Sequence, residues 1–410
     1  MENLVSQLLL LLAILLLSAK LGGYLSTLLH QPSVLGEIIA GLIIGPSLIN
    51  LLNMPYFHDP FIEEMIHFLA EVGVILLMFV AGLELHFSEL LKNSKVSALV
   101  GILGVILPVI LGWAVGLAFS FDQEHALYLG MILAATSVSI SAQTLMELKV
   151  LRTRVGFGLL GAAIFDDVLV ILLLSIFLAL IGGGSTLGAV LLILLRMVVF
   201  LVVSTLFGLW VLPGIVHRIS SLPISQGVLT LALIVTLIYG FAAQVLGSMA
   251  AITGAFLAGL MFSRSSEKER LERGISALSY GFFVPIFFVN IGLTVNIRQI
   301  YSEVVWLILL VTFVAVLGKL FGGGLGARLA GYSTREAAQV GAGMVSRGEV
   351  GLILASVGLS EGLVDSDLFT VIVAMVIITT LITPPMLRSL FKERKPRPKP
   401  QAKPELEMEE

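Results

Sequence analysis

Apolar runs of about 20 residues recur from one end of this 410-residue chain to the other. That is the length a helix needs to cross the hydrocarbon of a bilayer. This feature alone makes the chain a polytopic membrane protein and sets aside a soluble globular fold. Composition agrees, because 58% of the residues are hydrophobic and only 12% are charged, against roughly 25% charged in a soluble domain. The chain has no cysteine, so neither a disulfide nor a thiolate metal site is available to it. The first apolar segment lacks a basic leader and a small-residue cleavage site, and reads as a retained helix.

Cutting at polar breaks predicts thirteen helices, at 4–28, 33–50, 64–86, 97–120, 125–148, 155–182, 186–213, 224–246, 248–263, 272–296, 301–330, 335–360 and 366–391. The second and ninth are short and rich in glycine. Cytoplasmic loops collect Lys and Arg. With the C-terminus inside, the inside loops hold twelve basic residues, Lys92, Lys149, Arg152, Arg264 and Arg335 among them. The tail holds seven more and the outside loops only Arg298. A split of 19 to 1 predicts the N-terminus outside and the C-terminus inside. The tail, KERKPRPKPQAKPELEMEE, is proline-rich and highly charged, and is expected to be disordered.

The polar residues inside the spans carry the chemistry. In GAAIFDDVLVILLLSIFLALI (161–181) two carboxylates, Asp166 and Asp167, interrupt an apolar run. Each costs roughly 2.5–3.5 kcal/mol at the centre of a membrane helix. Neighbours on a helix point about 100° apart, so one can line a cavity while the other pairs with another helix. Two acids that merely tie the bundle together are the plainer alternative, and an expensive one. Lys319, deep in LVTFVAVLGKLFGGGLG, is the candidate partner. A lone lysine in hydrocarbon gives up its proton. The glycines around Lys319 admit a close helix.

Two spans carry paired interruptions, ATSVSISAQ (135–143) in the fifth and GMVSRGEVG (343–351) in the twelfth. Such pairs point to a transporter's binding site. The first supplies hydroxyls from Thr136, Ser137, Ser139 and Ser141, hard oxygen ligands for a dehydrated cation if the helix is broken there. The second supplies Arg347 and Glu349, either a local ion pair or part of the site. Glu84, ending the third span, can pair with Arg347 or with a loop base. Asn290, beside Pro285, is a polar contact expected near the pocket. Glu37 and Glu71 read as structural, and the six histidines cluster at span ends and in loops. No phosphate-binding loop and no His/Cys metal spacing competes. From the residues alone, parallel and inverted repeats both remain open.

With these residues in view, the chain resembles the monovalent cation–proton antiporters, in the bacterial Na⁺/H⁺ branch with a paired-aspartate helix, which has Kef-like relatives. The motifs that carry the resemblance are GAAIFDDVLVI (161–171), LAATSVSISAQTLMELKVL (133–151), LGKLFGGGLGA (317–327) and MVSRGEVGLILASVGL (344–359). The resemblance implies an all-α fold of two inverted five-helix repeats, with a dimer domain and a core domain that holds two crossed, discontinuous helices. The expected units are dimer-domain helices over 1–63, a first core repeat over 64–182, a linker and further dimer-domain helices over 183–271, a second core repeat over 272–391, and the tail over 392–410.

It further implies that Asp167 is the Na⁺-binding carboxylate and that Asp166 pairs with Lys319. Kef-like potassium relatives usually carry glutamine at the first aspartate, followed by a nucleotide-binding domain; electroneutral relatives carry asparagine first and arginine for the lysine. This chain departs from both patterns. The expected function is electrogenic exchange of Na⁺ or Li⁺ for H⁺ by alternating access, in the cytoplasmic membrane, as a homodimer among membrane lipids. No enzyme activity, cofactor or nucleic acid is expected. A K⁺/H⁺ antiporter, a cation channel and an ion sensor on the same scaffold are the alternatives.

Overall fold

The structure, a computed structural model, describes residues 2–57, 60–85, 92–181, 187–294, 296, 298 and 305–392. The charged tail from residue 393 lies outside them. Every regular element among the described residues is helical: α1 (Glu2–Leu28), α2 (Ser33–Ile44), α3 (Pro60–Glu84), α4 (Ser94–Ala118), α5 (Gln123–Ala134), α6 (Val138–Glu147), α7 (Arg154–Ile181), α8 (Leu187–Leu206), α9 (Leu212–Ser220), α10 (Gly227–Val245), α11 (Ala251–Phe262), α12 (Lys268–Leu278), α13 (Val284–Leu293), α14 (Val305–Leu329), α15 (Thr334–Gly343), α16 (Glu349–Ser360) and α17 (Ser366–Phe391), with one short 3₁₀ turn at Leu51–Asn53. Among the described residues, ten helical stretches are long and apolar enough to cross a membrane. Three shorter apolar helices, Ser33–Ile44, Ala251–Phe262 and Val350–Leu359, accompany them.

Two junctions are wide turns. Phe207–Val211 and Ser279–Phe283 are π-helical and join α8 to α9 and α12 to α13. Each is followed within two residues by proline, Pro213 and Pro285. A proline has no N–H for the helix ladder, and a widened turn absorbs the mismatch.

The helices pack as two groups. In one, α1 lies on α2, α2 on α13, α3 on α11 and α13, and α10 on α11. In the other, α4 packs on α5, α7 and α14, α14 packs on α15 and α17, and α16 packs on α17. We call the first group the framework and the second the core. Glycine sets the closest approaches. A Cβ on Gly322 of α14 would lie 2.5 Å from the Leu103 carbonyl of α4, so the glycines beside Lys319 do admit a neighbouring helix.

Helices α3, α12 and α13 pack with one another and against α2 and α11, in the framework. A Cβ on Gly73 would lie 2.5 Å from the Phe283 carbonyl, and one on Gly82 would lie 2.2 Å from that of Phe256. These contacts seat α3 against framework helices. Hydropathy marks where a span lies, not which neighbour its small residues meet.

Candidate ion site

The fifth and twelfth apolar segments both break. Between α5 and α6, residues 135–137 leave the helix, with Ala135 and Ser137 extended. Between α15 and α16, residues 344–348 do the same. Ser and Thr favour such departures because their hydroxyls compete for backbone groups.

The two breaks clasp each other. The Ser137 N–H donates to the Ser346 carbonyl at 2.8 Å, and the Ser346 hydroxyl donates to the Ser137 carbonyl at 2.7 Å. The Ser141 hydroxyl donates to the Gly343 carbonyl at 2.5 Å and lies 3.2 Å from the Ser346 hydroxyl. Ser137 and Ser139 hydroxyls meet at 3.0 Å.

Arg347 closes the crossing. It is fully buried. Its Nη2 donates to the carbonyls of Leu133, at 2.7 Å, and Ala315, at 2.9 Å. Its Nη1 donates to Val345, at 2.5 Å, and Met344, at 3.3 Å. Thr380 of α17 donates to its carbonyl at 2.7 Å. The C-terminal ends of α5 and α15 carry partial negative charge and unpaired carbonyls. One guanidinium therefore caps both half-helices and ties them to α14.

Asp166 and Asp167, on α7, face different neighbours. Asp166 is fully buried, and Lys319 Nζ donates to its Oδ1 at 2.6 Å. Thr136 brings its hydroxyl toward the same carboxylate without completing a hydrogen bond to it. Arg347 stands within electrostatic reach. Asp167 turns toward the framework instead. The Thr253 hydroxyl of α11 donates to its Oδ2 at 3.3 Å. Asp167 also lines a cavity of about 10 Å³ with Met78, Val138, Leu160, Ile164, Ile252, Thr253 and Phe256. That is about the least space that admits one water. The cavity lies where framework and core meet, since Met78 is on α3, Thr253 on α11 and Val138 on α6.

Of the residues singled out in the sequence, Asp166, Asp167, Lys319, Thr136, Ser137 and Arg347 converge on this crossing. Arg347 meets backbone carbonyls there. The side chain of Glu349 lies outside the described residues. Glu84 stands apart, its Oε2 3.8 Å from Arg152 Nε, so it meets a loop base. Asn290 also stands apart: its amide faces His67 at 3.5 Å, in a cavity of about 290 Å³ with Glu63, Glu64 and Thr294. The proline beside it suggests a pocket, and the pocket it meets is a different one. Sequence reading missed Thr253 and Ser346. Thr253 left one faint sign, as the only hydroxyl inside the apolar run 249–262.

A membrane bundle with two clasped, interrupted helices and a buried Asp–Asp–Lys set defines an ion-coupled transporter by fold and site. The chain belongs to the transmembrane sodium/hydrogen exchanger family, whose model matches residues 13–393. It is 43% identical over 379 residues to the Na⁺/H⁺–K⁺ antiporter GerN of Bacillus cereus, covering 92% of this chain and 95% of that one. It is 35% identical over 384 residues to a Na⁺/H⁺ antiporter of Enterococcus hirae, covering 93% and 97%. Its fold is similar to that of the sodium proton antiporter MjNhaP1 of Methanocaldococcus jannaschii, with a TM-score of 0.68 at 18% identity over 94% of this chain and 98% of that one. These relatives are transporters, not enzymes.

Proposed function

We propose that this protein is a secondary antiporter that exchanges Na⁺ or Li⁺ for H⁺ across the cytoplasmic membrane, electrogenically and by alternating access. One observation carries the reading. Of two adjacent buried carboxylates, Asp166 is held by Lys319 inside the core, while Asp167 opens on a water-sized cavity between core and framework. The relatives' names support the ion pair exchanged.

The working unit is a homodimer with thirteen crossings per chain, N-terminus out and C-terminus in. The two clasped breaks fit a pair of inverted five-helix repeats. The moving core is assigned α4–α7 and α14–α17, so its boundaries exclude α3 and α12–α13. Na⁺ and H⁺ compete for Asp167, and the hydroxyls of Thr136 and Ser137 share the coordination of the dehydrated cation. Occupied by either, the carboxylate carries less uncompensated charge past the barrier as the core shifts. When Na⁺ draws Asp166 toward it, Lys319 loses its partner and sheds its proton, giving two protons per Na⁺.

The test is Na⁺-dependent proton movement in proteoliposomes. Asp167→Asn is expected to abolish it, and wild-type exchange in that variant overturns the reading. Lys319→Gln is expected to lose voltage dependence; a variant still fully driven by membrane potential removes the lysine as second proton carrier. A second reading, K⁺/H⁺ exchange, is favoured by the K⁺ in GerN's name. A cation series in the same vesicles separates the two.

A further inference from the structure

Among the described contacts of the buried set, the one that comes from the framework is the hydrogen bond to Asp167. Thr253 and Asp167 are both buried, at 3% exposure each, and Thr253 Oγ1 donates to Asp167 Oδ2 at 3.3 Å. Thr253 sits in the first turn of α11, three residues after its N-cap Ala250, which supplies no side-chain cap. The positive end of that helix therefore lies beside the carboxylate.

The position of α11 is tightly fixed. A Cβ on Gly254 would lie 2.2 Å from the Tyr239 carbonyl of α10, and one on Gly259 would lie 2.0 Å from the Phe79 carbonyl of α3. Backbone contact on two sides keeps Thr253 with the framework. The other framework chains in the cavity, Met78, Ile252 and Phe256, are apolar, as are Val138 of α6 and Leu160 and Ile164 of α7. Lys319 of α14 stands within electrostatic reach of Asp167, Asp166 is its neighbour on α7, and Arg347 stands within reach of Asp166.

We infer that Thr253 is a positioning and ion-discriminating residue for Asp167, supplied by the framework. A hydroxyl has one proton and two lone pairs. Facing the bare carboxylate, it donates, and so favours the ionised form over the protonated one. Facing Na⁺ in the cavity, it rotates and offers oxygen. A protonated Asp167 gains least from it. Thr253 thus biases the competition toward Na⁺, and because it does not travel with the core, it does so only while the site faces this seam.

The inference rests on the assignment of Asp167 above, and the experiment separates the two. Exchange is measured in proteoliposomes for wild type, Thr253→Val and Thr253→Ser, as apparent KM for Na⁺ and as the pH of half-maximal rate. Thr253→Val keeps the shape and removes the donor. It is expected to raise the apparent KM about tenfold and to move the pH profile about one unit alkaline, the scale of one hydrogen bond to a charged group. Thr253→Ser is expected to stay within about twofold of wild type, on the same scale. An unchanged KM and pH profile in Thr253→Val, with only the maximal rate altered, overturns the inference. So does a serine variant that behaves like valine, which would assign the effect to the methyl group. If the valine variant is not recovered folded, Thr253→Ala is measured in its place, with the same shifts expected and the same results overturning the inference. Wild-type protein without Na⁺/H⁺ exchange would defeat the reading of Asp167 instead.

Discussion

The crossing inside the core and the seam between core and framework are built in opposite ways. At the crossing, reciprocal bonds between Ser137 and Ser346, the Ser141 bond to Gly343 and four guanidinium bonds from Arg347 join both half-helices to α14. Along the seam, among the described residues, the polar contacts lie apart from one another and none is shared between both breaks. Thr253 meets Asp167 midway, and others lie toward one end, where α3 and α6 finish and α2 begins. There Glu147 accepts from Ser33 N and Oγ, both at 2.6 Å, and from Val34 N at 3.3 Å. Tyr280 donates to Met146 Sδ at 3.3 Å, and Arg152 lies 3.4 Å from Glu272. The wider cavity of Glu63, Glu64, His67, Asn290 and Thr294 lies within the framework, between α3 and α13, at the other end of α3. The contrast teaches which part is made to hold and which to part. A crossing whose backbone is satisfied by its own members can travel whole, and a seam fastened at one end can open there.

The largest expected effect therefore belongs to the crossing. Arg347→Met fills the space with an apolar chain and leaves the carbonyls of Leu133, Met344 and Val345 without the guanidinium's donors, while Ala315, inside α14, keeps its helix bond. Each buried acceptor left unmade costs about 1–3 kcal/mol, so a loss of at least about 3 kcal/mol is expected, read as a fall in thermal midpoint and in monodisperse yield from detergent. Arg347→Lys keeps the charge but not the fork of donors, and is expected to recover only part of the loss. If Arg347→Met melts like wild type, the crossing does not depend on its guanidinium, and the contrast with the seam dissolves.

How much of the molecule is legible in its sequence follows the same division. The helical membrane fold shows in the spacing of apolar runs, because bilayer thickness dictates it. Asp166, Asp167 and Lys319 stand out because charge in hydrocarbon is costly and needs a reason. The breaks show because Thr-Ser-Val-Ser and Ser-Arg-Gly-Glu interrupt otherwise apolar helices. What the sequence hides is partnership. Arg347 next to Glu349 looks like half of an ion pair, and the four bonds described from its Nη1 and Nη2 go to carbonyls, which every residue owns and no sequence pattern marks. Thr253 is an ordinary hydroxyl until a fold from 86 residues away sets Asp167 beside it. The grouping of α3 with the framework is invisible for a similar reason, since Gly73 and Gly82 announce a close neighbour without naming it.

The smaller effect belongs to the seam, and Glu147 is where to look for it. α2 begins after Pro32 with no side-chain cap of its own, and Glu147, the last residue of α6, serves in that role from the core. Gln143 steadies the same carboxylate, its Nε2 2.9 Å from Oε1. A carboxylate at a helix N-terminus combines charge-assisted bonds with the helix dipole. Glu147→Gln keeps the shape and removes the charge. The core's own crossing is untouched, so the thermal midpoint is expected to shift far less than in Arg347→Met. What should change is how often this end of the seam opens. The chain has no cysteine of its own, so Met78→Cys, at the wall of the Asp167 cavity, reports opening through its labelling by an impermeant thiol reagent applied from that end. Weakening the cap by about 1 kcal/mol raises the open fraction about fivefold, because each 1.4 kcal/mol is a factor of about ten. Labelling from that side is expected to speed up by about that factor. An unchanged labelling rate would mean that Glu147 fastens α2 without holding the seam, and that the closed end owes its closure to Arg152 and the packing around Tyr280.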